Sequence, residues 1–260
     1  MIALIDLDFA LYTSVHKIVS ISEMRNAIAL HGKEGAKQWL LSEVYDKGIN
    51  RVEERILEIR EHLEDVVFAE ITEVELYITT NKNCFRKKLS PSYKAKRKRN
   101  NYVWLLRSHY MINDAKYSDT LEADDLVAIR ARELGVKNCI VVSPDKDLKT
   151  IGGFYWSYYK QKSKDPFGDK IINEFGYAET EFKQKDPIFI SEKEASFLFW
   201  KQMLMGDTSD NIKGLHRIGE KTAQKILKDK QNLFIATARK YIEKDQKKDF
   251  WINYKLLKLG

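Results

Sequence analysis

The sequence predicts an α/β protein built on a parallel sheet. Short apolar runs at residues 2–5, 74–79 and 139–142 read as core strands, and helical patterns separate them. The first and third runs are followed directly by acids, Asp6 and Asp145. In such sheets the ligand crevice lies beyond the carboxyl ends of the strands, which is where these two aspartates fall.

Taken in order, the first strand leads into residues 13–48, a weak helical pattern broken near Gly32 to Gly35 and again at Gly48. Asn50 then caps an amphipathic helix in which Val52, Ile56, Ile59, Leu63 and Val66 recur at spacings of four and three. Core packing accounts for that stripe. After the second strand comes a basic segment in which Pro91 bars a continuous helix, and aromatic residues resume at 102–111. A helix over residues 122–134, capped by Asp119 or Thr120, ends at Gly135. A helical turn over 145–150, a fourth strand over 154–159 and a connector over 160–187 follow, the connector marked by turn signals at Pro166, Gly168, Gly176 and Pro187. Ser191 and Glu194 form a capping box for a helix through Leu204, whose FLFWKQML run reads as core. Two glycines then flank a turn before a helix from about Glu220, and FWINYKLLKL reads as a packing helix. This divides the chain into an α/β core over 1–190, with the basic region at about 82–113 inside it, and a helical region over 191–260 packed on that core.

Composition narrows the class. The chain has 260 residues, 43% hydrophobic and 32% charged, enough to bury a full core, with no low-complexity tract and no internal repeat. No apolar run approaches the roughly 18 residues of a membrane span. MIALIDLD lacks a basic leader and meets acid at Asp6, so it reads as a buried strand and not as a signal peptide. Two cysteines, Cys84 and Cys139, make neither a zinc site nor a disulfide framework, which points to a reducing cytoplasm. The net charge is +7, and its distribution is uneven. Between Glu75 and Asp114 there is no acid, while Lys82, Arg86, Lys87, Lys88, Lys94, Lys96, Arg97, Lys98, Arg99 and Arg107 all fall there. A basic face beside acidic clusters suits a protein that grips a polyanion and performs metal chemistry on it.

The acids occur as four clusters: Asp6 and Asp8; Glu122, Asp124 and Asp125; Asp145 and Asp147; Asp207 and Asp210. Glu122 and Asp125 share a helix face, and a helix N-terminus favours acids in any case. Four clusters so far apart in sequence predict one pocket assembled by the fold, where crowded carboxylates need divalent cations to stay ionised. Two hard cations about 3.5–4 Å apart activate water and stabilise the leaving oxygen in phosphoryl transfer. Phosphatase and polymerase-like reactions share that chemistry. A twelve-residue calcium loop, a GxxxxGK[ST] stretch and a G-x-S-x-G elbow are all missing from the sequence. NIKGLHRIGEKTA resembles a helix–hairpin–helix, whose turn offers backbone N–H groups to phosphates, with Lys213, Lys221 and Lys225 nearby.

IDLD, FRKKLSPSYKAKRK, LEADD, SPDKDLKTI and MGDTSDNIKGLHRIGEKTA occur in this order over nearly the whole chain. Together they resemble the bacteriophage 5′→3′ exonucleases of the flap endonuclease family, close to the exonuclease/ribonuclease H type. The resemblance implies a PIN-like α/β nuclease with a basic helical arch above the metals and a C-terminal helix–three-turn–helix gripping duplex DNA. It implies that Asp6, Glu122, Asp124, Asp125 and Asp145 surround a first Mg²⁺, and that Asp147, Asp207 and Asp210 serve a second, Mn²⁺ being able to substitute. Asp8 is a further neighbour. Lys94 and Arg97 would contact the scissile phosphate as catalytic groups, and Tyr93 would position the substrate strand. Lys96, Lys98 and Arg99 would steer its backbone, and Lys213, Gly214, Ile218, Gly219 and Lys221 would bind DNA at the turn. The same resemblance implies 5′-ended DNA and RNA–DNA hybrid substrates, RNA primer removal, polymerase and single-strand-binding proteins as partners, a monomer, and a host bacterial cytoplasm. Its alternatives are a structure-specific flap endonuclease and a non-catalytic DNA-binding replication scaffold, the latter disfavoured because a repulsive carboxylate cluster is costly to hold. Two positions depart from the family pattern. Thr80 or Asn81 stands where many relatives place an aspartate, and Arg217 replaces the middle glycine of G-x-x-G-I-G, the turn whose carbonyls often hold K⁺.

Overall fold

The computed structural model describes the chain except residues 17, 68, 81–82, 98–101, 114 and 163–179. Asn81, Lys82, Lys98, Arg99 and the turn signals Pro166, Gly168 and Gly176 therefore lie outside the described residues. Strand β1 (Ile2–Asp6) is followed by α1 (Asp8–Ser14), a long α2 (Ile21–Val66) and β2 (Glu73–Tyr77). Next come α3 (Phe85–Leu89), α4 (Val103–Ile112), β3 (Ala115–Lys116), α5 (Ala123–Leu134) and β4 (Cys139–Val142). A 3₁₀ turn (Lys146–Ile151) precedes β5 (Gly153–Trp156). Strands β6 (Lys160–Lys162) and β7 (Thr180–Phe182) pair with each other, and β8 (Ile188–Ile190) returns to the main sheet. The chain then runs through α6 (Glu192–Met205), short strands β9 (Gly206–Asp207) and β10 (Ile212–Lys213), α7 (Glu220–Leu227), α8 (Leu233–Glu243) and α9 (Lys247–Leu257).

The main sheet has the order β3-β2-β1-β4-β5-β8, parallel from β3 to β5 and antiparallel at β8. The chain winds outward from β1 to β2 and β3 on one side and to β4 and β5 on the other. The order therefore reverses between β1 and β4, which opens a crevice at their carboxyl ends. Alternation along β1 feeds two separate apolar layers. Ala3 and Ile5 pack with Val52, Ile59, Leu63 and Leu106 under α2 and α4, while Leu4 packs with Val127, Ala131 and Val141 under α5. A third cluster unites α6 to α9 with Cys84 and Tyr93, so the basic segment is anchored on the C-terminal helices.

The helix capped at Asn50 is a correction: α2 runs unbroken through that position, starting at Ser20, whose side chain accepts from the Glu23 N–H. Gly32 is its one non-helical residue, at φ +68°, so the expected break there is present. Gly48 breaks nothing. A Cβ at that position would lie 2.9 Å from Leu106 Cδ2, so glycine lets α4 approach closely. Helix α5 is capped by Glu122 and not by Asp119 or Thr120. It is stitched to β2 by Arg130, whose Nη2 donates to Glu75 Oε1 at 2.9 Å, and by the Ala123 N–H, which donates to Thr79 Oγ1 at 2.8 Å. No helix among the described residues is long and apolar enough to cross a membrane.

Candidate metal centre

The carboxyl ends of β1, β2 and β4 open into a cavity of about 340 Å³ lined by Asp6, Asp8, Phe9, Thr79, Lys94, Glu122, Asp124, Ser143, Pro144, Asp145 and Tyr159. Asp6 ends β1 and is buried, with Ser143 Oγ donating to its Oδ2 at 3.0 Å and the Asp8 N–H to its Oδ1 at 3.1 Å. Burial, then the charges of Asp8 and Asp145, push its carboxyl up to about 7. Asp124 is raised well above the usual carboxylate range by burial and the Glu122 charge. Glu122 goes the other way. Burial works against its charge, but Lys94 Nζ at 2.6 Å, the Tyr93 hydroxyl at 2.7 Å and Arg86 hold it below its ordinary value. Lys94 is itself kept protonated, against burial, by Glu122, Asp124 and Asp210.

Asp125 stands apart. Glu122, Asp124 and Asp125 each bring an oxygen within 4.8 Å of the others, yet Asp125 is not among the residues lining the cavity. Its carboxylate is gripped at both oxygens by the Arg86 guanidinium. It also accepts from the Glu122 N–H at 3.1 Å and the Gly260 N–H at 3.1 Å. Arg86 is 1% exposed and also donates to Glu122 Oε2, at 3.3 Å, and to the carbonyls of Leu256, at 2.8 Å, and Lys258, at 3.0 Å. Through these bonds Asp125 fixes the start of α5, while its carboxylate stays in one group with those of Glu122 and Asp124.

Beside the cavity lies the second cluster. Asp145 Oδ1 accepts from the Asp147 N–H at 2.9 Å and so starts the 3₁₀ turn. Gln202 on α6 donates to Asp147 Oδ2 at 2.9 Å and to Asp207 Oδ2 at 3.4 Å. Burial and the Asp145 charge push Asp147 up to about 7, and Asp207 stays low because Ser209 and the Asp210 N–H bond to it, although burial opposes this. The Asp207 charge adds to the rise at Asp147. Asp210 pairs with the Arg97 guanidinium and lies 3.7 Å from Lys94 Nζ.

The basic turn carrying these cations is docked by its backbone: the Lys94 N–H donates to the Asp210 carbonyl at 2.9 Å, and Asn211 Nδ2 to the Ser92 carbonyl at 2.9 Å. Lys94 adopts φ +53° there. Tyr93, expected against substrate, is 3% exposed and its hydroxyl is committed to Glu122, so it cannot offer its ring to a nucleic-acid strand. Lys96 is exposed and faces the same groove as Lys213 and Gly214, whereas Lys221 is exposed on α7. Gly214 is required inside the turn, since a Cβ would meet the Met205 carbonyl carbon at 2.1 Å. Gly219 has open space around it, and Ile218 is half-buried on the C-terminal cluster. Arg217 adopts φ +59°, so the position does demand a left-handed backbone.

Ser143, Thr79, Gln202 and Arg86 were not singled out from sequence. Thr79, not Thr80, faces the cavity; Thr80 Oγ1 donates to the Ser118 carbonyl at 2.9 Å. Arg86 is one cation of many in a basic run, and only its burial marks it.

Neither a family model nor a curated protein sequence matches the chain. Solved structures do. A bacteriophage T5 protein co-crystallised with metal ions superposes with a TM-score of 0.63 at 14% identity, covering 99% of this chain and 89% of that one. The T5 flap endonuclease in complex with DNA and metal ions gives 0.58 at 14% identity over 100% and 89%, and the zinc-bound T5 5′-exonuclease gives 0.58 at 13% over 99% and 89%. This chain has the fold of these T5 structures. Within that fold Glu122, Asp124 and Asp125 bring carboxylate oxygens within 4.8 Å of one another and fit a hard divalent cation, and Asp6 and Asp145 line the cavity beside them. They are carboxylates crowded until two of them shift toward neutrality, a strain that a cation relieves.

Proposed function

We propose that the chain is a metal-dependent 5′ nuclease that hydrolyses phosphodiesters from or near the 5′ end of duplex DNA and of RNA–DNA hybrids. The observation that supports this reading best is the convergence of three acidic segments and Lys94 on one cavity at the sheet's switch point, with the fourth segment, Asp207 and Asp210, beside it. Asp6, Glu122, Asp124, Asp125 and Asp145 would surround the first ion, and Asp147, Asp207 and Asp210 would serve the second. Asp125 also keeps α5 in place. Mg²⁺ is the expected ion, with Mn²⁺ as substitute; when bound, such ions activate water and stabilise the leaving oxygen.

The chain's own part is positioning and charge. Lys94 sits in the seam between Glu122 and Asp210, so a phosphate entering the cavity meets an ammonium already fixed by two partners. Arg97 is half-exposed and anchored at one end by Asp210, which leaves its remaining donors for the strand outside. Both would neutralise charge that develops on the phosphoryl oxygens. Lys96, Lys213 and Lys221, all exposed, would grip the duplex backbone, with the Gly219 end of α7 presenting N–H groups to phosphate. RNA primer removal, action as a monomer in a bacterial cytoplasm, K⁺ at the 214–219 turn, and polymerase or single-strand-binding partners belong to the same reading.

The test uses 5′- and 3′-labelled duplex, 5′-flap and RNA–DNA hybrid substrates with Mg²⁺, Mn²⁺ or chelator, comparing wild type with Asp207→Asn. Metal-dependent release from the 5′ side, lost in the variant, is the expected result, and product length separates stepwise digestion from flap cutting. Tight DNA binding without cleavage under either ion would sink the nuclease reading in favour of the replication scaffold.

A further inference from the structure

Asp8 is the acid whose role the nuclease reading leaves open. It opens α1, two residues beyond Asp6, and its side chain lines the cavity. Its Oδ1 accepts from the Thr79 N–H at 3.2 Å, so the carboxylate bridges from the end of β1 to the end of β2. Thr79 brings only a hydroxyl, already occupied by the Ala123 N–H, and the Thr80 hydroxyl bonds to the Ser118 carbonyl.

The two acid–arginine pairs of the site differ in a way that decides which acid is available. Asp125 is held at both oxygens by Arg86, whose remaining contacts are Glu122 Oε2 and two backbone carbonyls. Asp8 has one contact with Arg107, Nη2 to Oδ1 at 3.1 Å, and Arg107 Nε is buried with no partner among the described residues. Both bonds to Asp8 fall on Oδ1, so its Oδ2 has no protein donor among the described residues. One pair is a completed two-point fork; the other is a single bond with donors to spare.

We infer that Asp8 is a further carboxylate of the metal centre, covering the β2 edge of the cavity, with Arg107 as the cation that balances it before an ion enters. The inference rests on the nuclease reading. Acting directly or through a bound water, such a group contributes about 10- to 100-fold to ion affinity.

Calorimetric titration of Mn²⁺ into the full chain tests this, comparing wild type with Asp8→Asn, Asp8→Glu and Asp124→Asn, after melts in chelator confirm that each is folded. Asp8→Asn removes the charge yet keeps both hydrogen bonds, and should weaken Mn²⁺ about tenfold or more. Asp8→Glu keeps the charge but moves it off the Thr79 anchor, and should weaken binding as well. A wild-type affinity in Asp8→Glu beside a weakened Asp8→Asn would make Asp8 a bystander charge and overturn the inference. Unchanged affinity in both variants, with Asp124→Asn impaired, would overturn it alone. Absence of Mn²⁺ binding by the wild-type protein would overturn the nuclease reading and this inference with it.

Discussion

Arg86 and Asp125 form a two-point ion pair with each side chain 1% exposed, Nη2 lying 2.6 Å from Oδ1 and Nη1 bonded to Oδ2. The pair ties α3, the start of α5 and the 256–260 segment together. Removing one partner of such a pair strands a buried charge, at a cost of roughly 3–5 kcal/mol. Arg86→Met should therefore lower stability by about that amount in chemical denaturation, with or without divalent ions. Arg86→Lys should not restore it, because an ammonium cannot span two carboxylate oxygens and two carbonyls at once.

Acidity at the cavity should set the pH profile of stability. Asp6 and Asp147 are raised to about 7, so the folded chain binds protons there that the unfolded chain has already released. Their stabilising contribution is complete below the ordinary carboxylate value of 3.8 and is lost as pH rises through about 7. Melting in chelator should therefore show Tm falling between about pH 5 and pH 8, and Asp6→Asn should flatten that slope. Glu122 and Asp207, held low, act in the opposite sense, their contribution being lost only as pH falls below the ordinary range.

Gln202 donates to both members of the Asp147–Asp207 pair from one amide nitrogen. Gln202→Leu should leave the ion at Asp6, Glu122 and Asp124 undisturbed and weaken the other by about tenfold. Two-site Mn²⁺ calorimetry would register this as a change in one binding event; equal weakening of both would refute the division of the acids into two sites.

At Arg217 the left-handed backbone costs a side-chain-bearing residue roughly 1–2 kcal/mol, of which glycine recovers part and returns some as unfolded-chain entropy. Arg217→Gly should stabilise the protein by about 0.5–1 kcal/mol in urea denaturation. If K⁺ binds the turn carbonyls, the variant should also show a larger rise in Tm on replacing Na⁺ with K⁺.

Much of the site was legible because it follows from strand ends. Asp6 and Asp145 fall where a parallel sheet puts its crevice, and β4 occupies the residues its apolar run marks. The long helix was harder to read. Gly48 signals a break in one dimension, but α4 needs it as a shallow place in α2, and Leu106 lies 58 residues further along. The post of Asp125 was equally hidden, since its partner is 39 residues away in a run of cations that look alike on paper. The burial of Tyr93 was hidden for the same reason: nothing in a run of lysines shows that the C-terminal helices close over it. Strand β8 went unseen because it is three residues long and antiparallel at a sheet edge, with no periodicity of its own to detect.

The backbone bond from Lys94 to the Asp210 carbonyl joins segments more than a hundred residues apart, and the Ser143–Asp6 bond spans 137. Closing such loops is slow and comes late, after local helices have formed. The acids of the cavity and the cations beside them therefore become one centre only when segments far apart in the chain have met.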